Sequence, residues 1–255
     1  MKPLISKIKP ASGFSKVLYT VFNILLPLFI FVLVRTDFIQ LALVIILLSK
    51  WRMFVVRPRF WIANIRANSV DIIVGVSLLL FIVEADSQML QMVWTLAYIV
   101  WLVLIKPASS SIWVSIQALI GMLCGLMALF ISWGDGPLYG LVIATGLIGY
   151  LSARHFFDSF DEPYAKLLSY TWGYFSAALV WVLGHWLLYY GIVAQPVVLL
   201  LTIGYGLASL YYIDHHLSSD LSQSAKRTIN MVLSINIVVI ALLVIIFSDW
   251  GDKIV

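Results

Sequence analysis

The chain has 255 residues, 62% of them hydrophobic and only 11% charged, with a mean hydropathy of +1.02. Soluble domains carry about a quarter charged residues, so water cannot be the main solvent and a sizeable soluble domain is excluded. The formal net charge of +4 does not argue for nucleic acid, because the bases fall at the ends of apolar runs, where they set membrane topology and meet anionic lipid head groups.

Crossing about 30 Å of hydrocarbon takes about 20 apolar residues wound as a helix, since no backbone polar group can stay unpaired there. Apolar runs of suitable composition lie at 17–34, 37–51, 69–84, 88–105, 112–133, 137–153, 167–190, 192–213 and 228–248. The breaks combine charge with turn chemistry: Arg35-Thr36-Asp37, Glu84-Ala85-Asp86, Lys106-Pro107, Gly134-Asp135-Gly136-Pro137, and Gly191 ahead of Pro196. The first run is too long for a removed signal peptide and lacks a small-residue cleavage site, so it reads as a signal anchor. The second and third runs are the short ones, and their length also suits re-entrant or interfacial segments.

Charge argues for full crossings. With nine spans, Lys and Arg alternate by loop: fourteen fall on one side, in the N-terminal tail, 50–68, Lys106, Arg154 with Lys166, and Lys226 with Arg227. Only Arg35 and Lys253 fall on the other. The bias predicts an all-α integral membrane bundle of about nine transmembrane helices, N-in and C-out. It forms one transmembrane domain over 1–255, with 1–16 as a cytoplasmic tail, and the expected location is the bacterial cytoplasmic membrane. The pairs Gly121/Gly125, Gly173/Ala177 and Gly204/Ala208 each place small residues on one helix face, where another backbone can approach closely. Cys124 is the single cysteine, so no disulfide framework exists.

The least ordinary stretch is the basic, aromatic segment 50–66. Pro58 suits the first position of a short helix. Continued at helical spacing, Trp61, Ile62 and Ile65 share one side, with Arg59 and Arg66 beside them. That pattern predicts a short basic interfacial helix, with Lys50, Arg52, Arg57, Arg59 and Arg66 as candidates for anionic lipid head groups; the plainer reading is a positive-inside loop with membrane anchors. Lys50, six residues, then Arg57-Pro58 resembles the first motif of the type 2 phosphatidic acid phosphatase family. The resemblance covers that motif alone. The family's Pro-Ser-Gly-His stretch and its later Arg-to-His motif have no counterpart here, Pro107-Ala108-Ser109-Ser110 being no substitute, so no phosphatase chemistry is implied.

A second group follows the sixth run: His155, Asp158, Asp161 and Glu162, expected to share a face with Asp214, His215, His216 and Asp220. Spacing of three and seven residues puts His155, Asp158 and Glu162 on one side if the helix continues. Such mixed N and O ligands suit a divalent metal (zinc, manganese or iron) or acid–base chemistry. The plainer reading is a polar loop whose acids balance Arg154 and Lys166. Among the His, Asp, Glu, Lys and Arg residues, His185 is the one placed well inside a span, about 9 Å from its end; such a residue points to function, or its imidazole shares a proton with a backbone carbonyl or with Asn or Gln on a neighbouring span. Three functions fit: transport or handling of a small or lipid-like molecule, a membrane-embedded enzyme using the His/Asp/Glu group, and a membrane scaffold. The residues single out none of them.

Overall fold

Each apolar run bounded by turn chemistry becomes a helix, and the turns between them are short. The structure is a computed structural model that describes residues 13–55, 57–160 and 162–216, with isolated positions between 227 and 238. Helix α1 (Phe14–Arg35) reverses through Asp37, which takes a left-handed φ of 61°, into α2 (Ile39–Leu48). Two 3-10 turns, Trp51–Phe54 and Pro58–Phe60, lead into α3 (Trp61–Ala67) and then α4 (Ser69–Val83). Next come α5 (Gln88–Val100), prolonged as a π turn over Trp101–Ile105, α6 (Ser111–Trp133), α7 (Leu138–Asp158) and α8 (Ala165–Leu183). A 3-10 turn (Gly184–Trp186) and a two-stranded antiparallel hairpin, β1 (Tyr189–Tyr190) with β2 (Val193–Ala194), precede α9 (Gln195–His216). Gly191 makes the hairpin turn at a φ of 62° that a side chain would resist.

Among the described residues, six stretches are long and apolar enough to cross a membrane: Val17–Arg35, Gln88–Ile105, Ser111–Trp133, Leu138–Asp158, Ala165–Trp186 and Gln195–His215. A seventh follows if Pro58–Ala67 and Ser69–Val83, bent by 61° at their junction, act as one. These helices fit a membrane-embedded protein, as the composition requires. Six of the nine expected spans thus have a full-length helix among the described residues. The second run yields a helix of ten residues, about 15 Å long and half the hydrocarbon thickness. It ends in a tightened turn, the Lys50 N–H donating to the Leu47 carbonyl at 3.0 Å and the Ser49 hydroxyl to the Ile46 carbonyl at 2.6 Å, and the Lys50 side chain turns into the protein. The ninth run, 228–248, lies almost entirely outside the described residues.

Packing divides the bundle into two cores that share α6. In the first, Ile30, Ala42, Ile46, Val74, Leu79, Ile82 and Leu102 bring α1, α2, α4 and the end of α5 together. In the second, Leu126, Phe130, Leu141, Val180 and Leu200 join α6 to α7, α8 and α9. The small-residue pairs make these approaches possible. A Cβ on Gly121 would sit 2.8 Å from Val70, and one on Gly173 would sit 2.9 Å from the Gly146 carbonyl oxygen. The antiparallel succession gathers Lys50, Arg57, Arg59, Arg66, Lys106, Arg154 and Lys166 at one end, the basic end. At the other, Arg35 is the single Lys or Arg among the described residues, beside Asp37, Glu84, Asp86 and Asp135.

Because the obstacle at Gly173 is backbone, which cannot turn aside, Gly173→Val should separate α7 from α8 and lower stability by about 1–3 kcal/mol. Thermal unfolding of the purified variant in detergent checks this; an unchanged midpoint contradicts the close approach.

Candidate functional site

The polar centre of the molecule lies where three helix ends meet at the basic end. Asp71 stands in the first turn of α4, where unpaired backbone N–H groups favour a carboxylate. Its Oδ2 accepts from Lys50, just past α2, and from Lys106, just past α5, the latter at 2.7 Å. Its Oδ1 accepts from the Trp101 indole N–H at 3.0 Å. Lys50 and Asp71 are buried, at 6% and 7% exposure. Both carboxylate oxygens are therefore occupied, and two ammonium groups share one negative charge.

The π turn explains how one helix supplies two of these groups. In an α-helix, residues five apart point about 140° away from each other. Here the Lys106 N–H reaches the Trp101 carbonyl at 2.8 Å, an i to i+5 closure that stacks Lys106 over Trp101. Pro107 follows, and its ring would collide with the Val103 carbonyl if a regular helix continued. Gln117 of α6 holds the widened turn by donating to the Ile105 and Ala108 carbonyls at 2.7 and 2.9 Å. With its N–H groups committed, Gln117 accepts through Oε1 from His155 at 3.0 Å, which places the imidazole proton on Nε2.

Two cavities flank this centre. The larger, of about 370 Å³, is lined by Tyr19 and Asn23 of α1, Ser49, Lys50, Met53, Asn64, Asn68, Leu102 and Lys106. The smaller, of about 150 Å³, is lined by Asn68, Val70, Asp71, Trp101, Lys106, Gln117 and His155. Lys106 and Asn68 belong to both. Burial pushes the Lys50 ammonium down to about 8 against the pull of Asp71, whereas Asp71 more than offsets burial for Lys106 and holds its ammonium above the ordinary range.

Of the expected head-group residues, Lys50 enters this centre. Arg57 and Arg59 are exposed, Arg59 lying 4.6 Å over the Phe60 ring, and Arg66 is half-buried. The Arg52 side chain lies outside the described residues. The expected short helix is present, with Pro58 opening it and Trp61, Ile62 and Ile65 exposed.

The expected His/Asp/Glu face does not form. Helix α7 ends at Asp158, so Glu162 leaves the helix and no longer shares a face with His155 and Asp158. His155 points to Gln117, and Asp158 pairs with Arg154 at 2.8 Å. Glu162 instead meets α9: it accepts from the Tyr211 hydroxyl and the Tyr164 N–H, and His215 Nε2 lies 3.7 Å away. Those two donors hold its carboxyl below the usual carboxylate range. His215 stacks on Tyr211, 4.0 Å between ring centres. Asp161 and the His216 side chain lie outside the described residues. Among the described residues, no three His, Cys, Asp or Glu side chains converge as a divalent metal requires.

His185 falls in the 3-10 turn that follows α8, near the end of the apolar stretch Ala165–Trp186, and its side chain is exposed. Of the expected partners it meets a backbone carbonyl, Nδ1 lying 2.8 Å from the Trp181 oxygen.

Sequence reasoning missed Asp71, Lys106, Trp101 and Gln117 as site residues. Asp71 reads as the edge of a span and Lys106 as a topology marker. The available signal was sidedness, since alternation puts 50, 71 and 106 at the same end of consecutive segments. The chain matches no known family model, curated protein or solved structure.

Asp71→Ala leaves the buried Lys50 ammonium facing the half-buried Lys106 without a counter-charge. We expect a loss of about 3–5 kcal/mol, read as a lower thermal midpoint in detergent, with partial recovery in Asp71→Ala/Lys50→Met.

Proposed function

We propose that the protein handles an anionic, lipid-like molecule, seating its charged group in the larger cavity at the basic end. One observation carries this reading: two lysines on the cavity wall share a single carboxylate that lies behind them, which leaves one positive charge unmatched. Ammonium groups have three donors each, so Lys50 and Lys106 keep N–H groups to offer after meeting Asp71. Asn23, Ser49, Asn64 and Asn68 supply further hydrogen-bonding groups, and Leu26, Met53 and Leu102 supply apolar wall. Exposed Val17, Leu18, Phe22 and Leu25 on α1 offer a surface for acyl chains beside the opening.

The same reading gives the orientation. The basic end faces the cytoplasm by the positive-inside rule, in a bacterial cytoplasmic membrane, with the N-terminus inside. Nine crossings complete the topology if α2 and the bent α3–α4 pair cross and 228–248 forms the last span. Arg57, Arg59 and Arg66 then lie at the head-group layer, drawing anionic lipid toward the site.

Lys106→Gln tests the site while leaving the Lys50–Asp71 pair intact. Native mass spectrometry of the detergent-solubilised protein should show about tenfold weaker retention of an anionic lipid, with a zwitterionic lipid of the same chains unaffected. Equal retention by wild type and variant contradicts the proposal.

Acidity supplies a second check. Among the described residues, Asp71 from α4, Lys106 from the end of α5 and Tyr19 from α1 are the ionisable groups around Lys50. Lys50 is charged below about pH 8 and neutral above it, so its loss of a proton removes the unmatched charge. Anionic-lipid retention should fall as pH rises from 7 to 9, and Lys50→Met should flatten that profile.

A further inference from the structure

The charge that the site leaves unmatched is one, and the protein fixes it there. Asp71 cannot turn away from the lysines, because Trp101 holds Oδ1 while Lys50 and Lys106 hold Oδ2. Nor can it be shed into water, being 7% exposed. A ligand with one negative charge brings the group of charges to neutrality. A ligand with two leaves an excess negative charge beside a fixed, buried carboxylate, where screening is weak. Phosphate esters divide along this line at neutral pH. A diester carries one charge, whereas a monoester, with a second pKa near 6, carries close to two.

We propose that Asp71 is a specificity-determining residue that makes the site select phosphodiesters over phosphomonoesters, an inference that rests on the anionic-ligand reading above. Lys50 and Lys106 provide the attraction, and Asp71 sets its ceiling. The preference follows the net charge of the three residues rather than the shape of any one of them.

The test titrates purified wild-type protein in detergent at pH 7 with phosphatidylglycerol and with phosphatidic acid of the same acyl chains. Wild type should hold the diester about tenfold more tightly. Asp71→Asn, with two positive charges and no negative one, should abolish or reverse that preference. Asp71→Asn/Lys50→Gln returns the net charge to one and should restore it. A wild-type preference for phosphatidic acid overturns the inference, as does an Asp71→Asn ratio equal to wild type. If Asp71→Asn fails to fold, the double variant, which has no surplus buried charge, decides: loss of the preference there overturns the inference. Absence of binding to either lipid by wild type would remove the ligand site itself, a separate failure. Dimethyl phosphate and methyl phosphate run alongside identify the source. Binding confined to the lipids supports a head group entering from the bilayer, and tight binding of dimethyl phosphate supports the same charge selection acting on a soluble diester.

Discussion

A carboxylate shared by two lysines and an indole holds the end of α2, the start of α4 and the end of α5 in one place. Removing water from three charges is costly, and their attraction offsets that cost only when geometry is good and the remaining donors and acceptors find partners. Asp71 meets that condition on both oxygens. The arrangement explains why α2 stops after ten residues. Lys50 has to leave the membrane direction and turn inward to reach Asp71. A longer α2 would carry its ammonium group away from Asp71. The charged centre thus sets the shape of the first core as well as its chemistry.

Around that centre, a chain of hydrogen bonds runs from Asp71 to His155, both of which line the smaller cavity. Trp101 binds Asp71, the π turn sets Lys106 above Trp101, Gln117 caps the carbonyls that the turn exposes, and His155 binds Gln117. Helices α4, α5, α6 and α7 are linked through it at one level. Such connected networks are rigid because a break at any member strands a buried polar group. The two cavities flanking Lys106 are therefore bounded by residues with fixed orientations, which suits binding more than large rearrangement.

The far side of the basic end is built on other terms. Glu162 closes the α7–α8 loop onto α9 through Tyr211 and His215, beneath a cluster formed by Phe156, Phe157 and Phe160. Here the acids find their partners locally, Asp158 pairing with Arg154 and Glu162 accepting hydrogen bonds. What the sequence presents as one polar constellation is two unrelated structures: His155 belongs to the first core's network, and Glu162 with His215 to a loop fastening.

Composition and periodicity determined the helical, membrane-embedded character, because lipid leaves the backbone no other way to satisfy its own polar groups. They also determined most breaks, the short helix opened by Pro58 and the close approaches at Gly121 and Gly173, all of which depend on residues near in sequence. The segregation of bases to one end was legible for the same reason, each loop carrying its own sign. Tertiary structure decided where the charges meet. Lys50, Asp71 and Lys106 are 21 and 35 positions apart along the chain, and no spacing rule joins them. It also decided the π turn, which arises from Pro107, Gln117 and Asp71 acting together, and the early end of α7 that parted His155 from Glu162. Local pattern records what each segment must bury; which segments bury it against one another is fixed only when they pack.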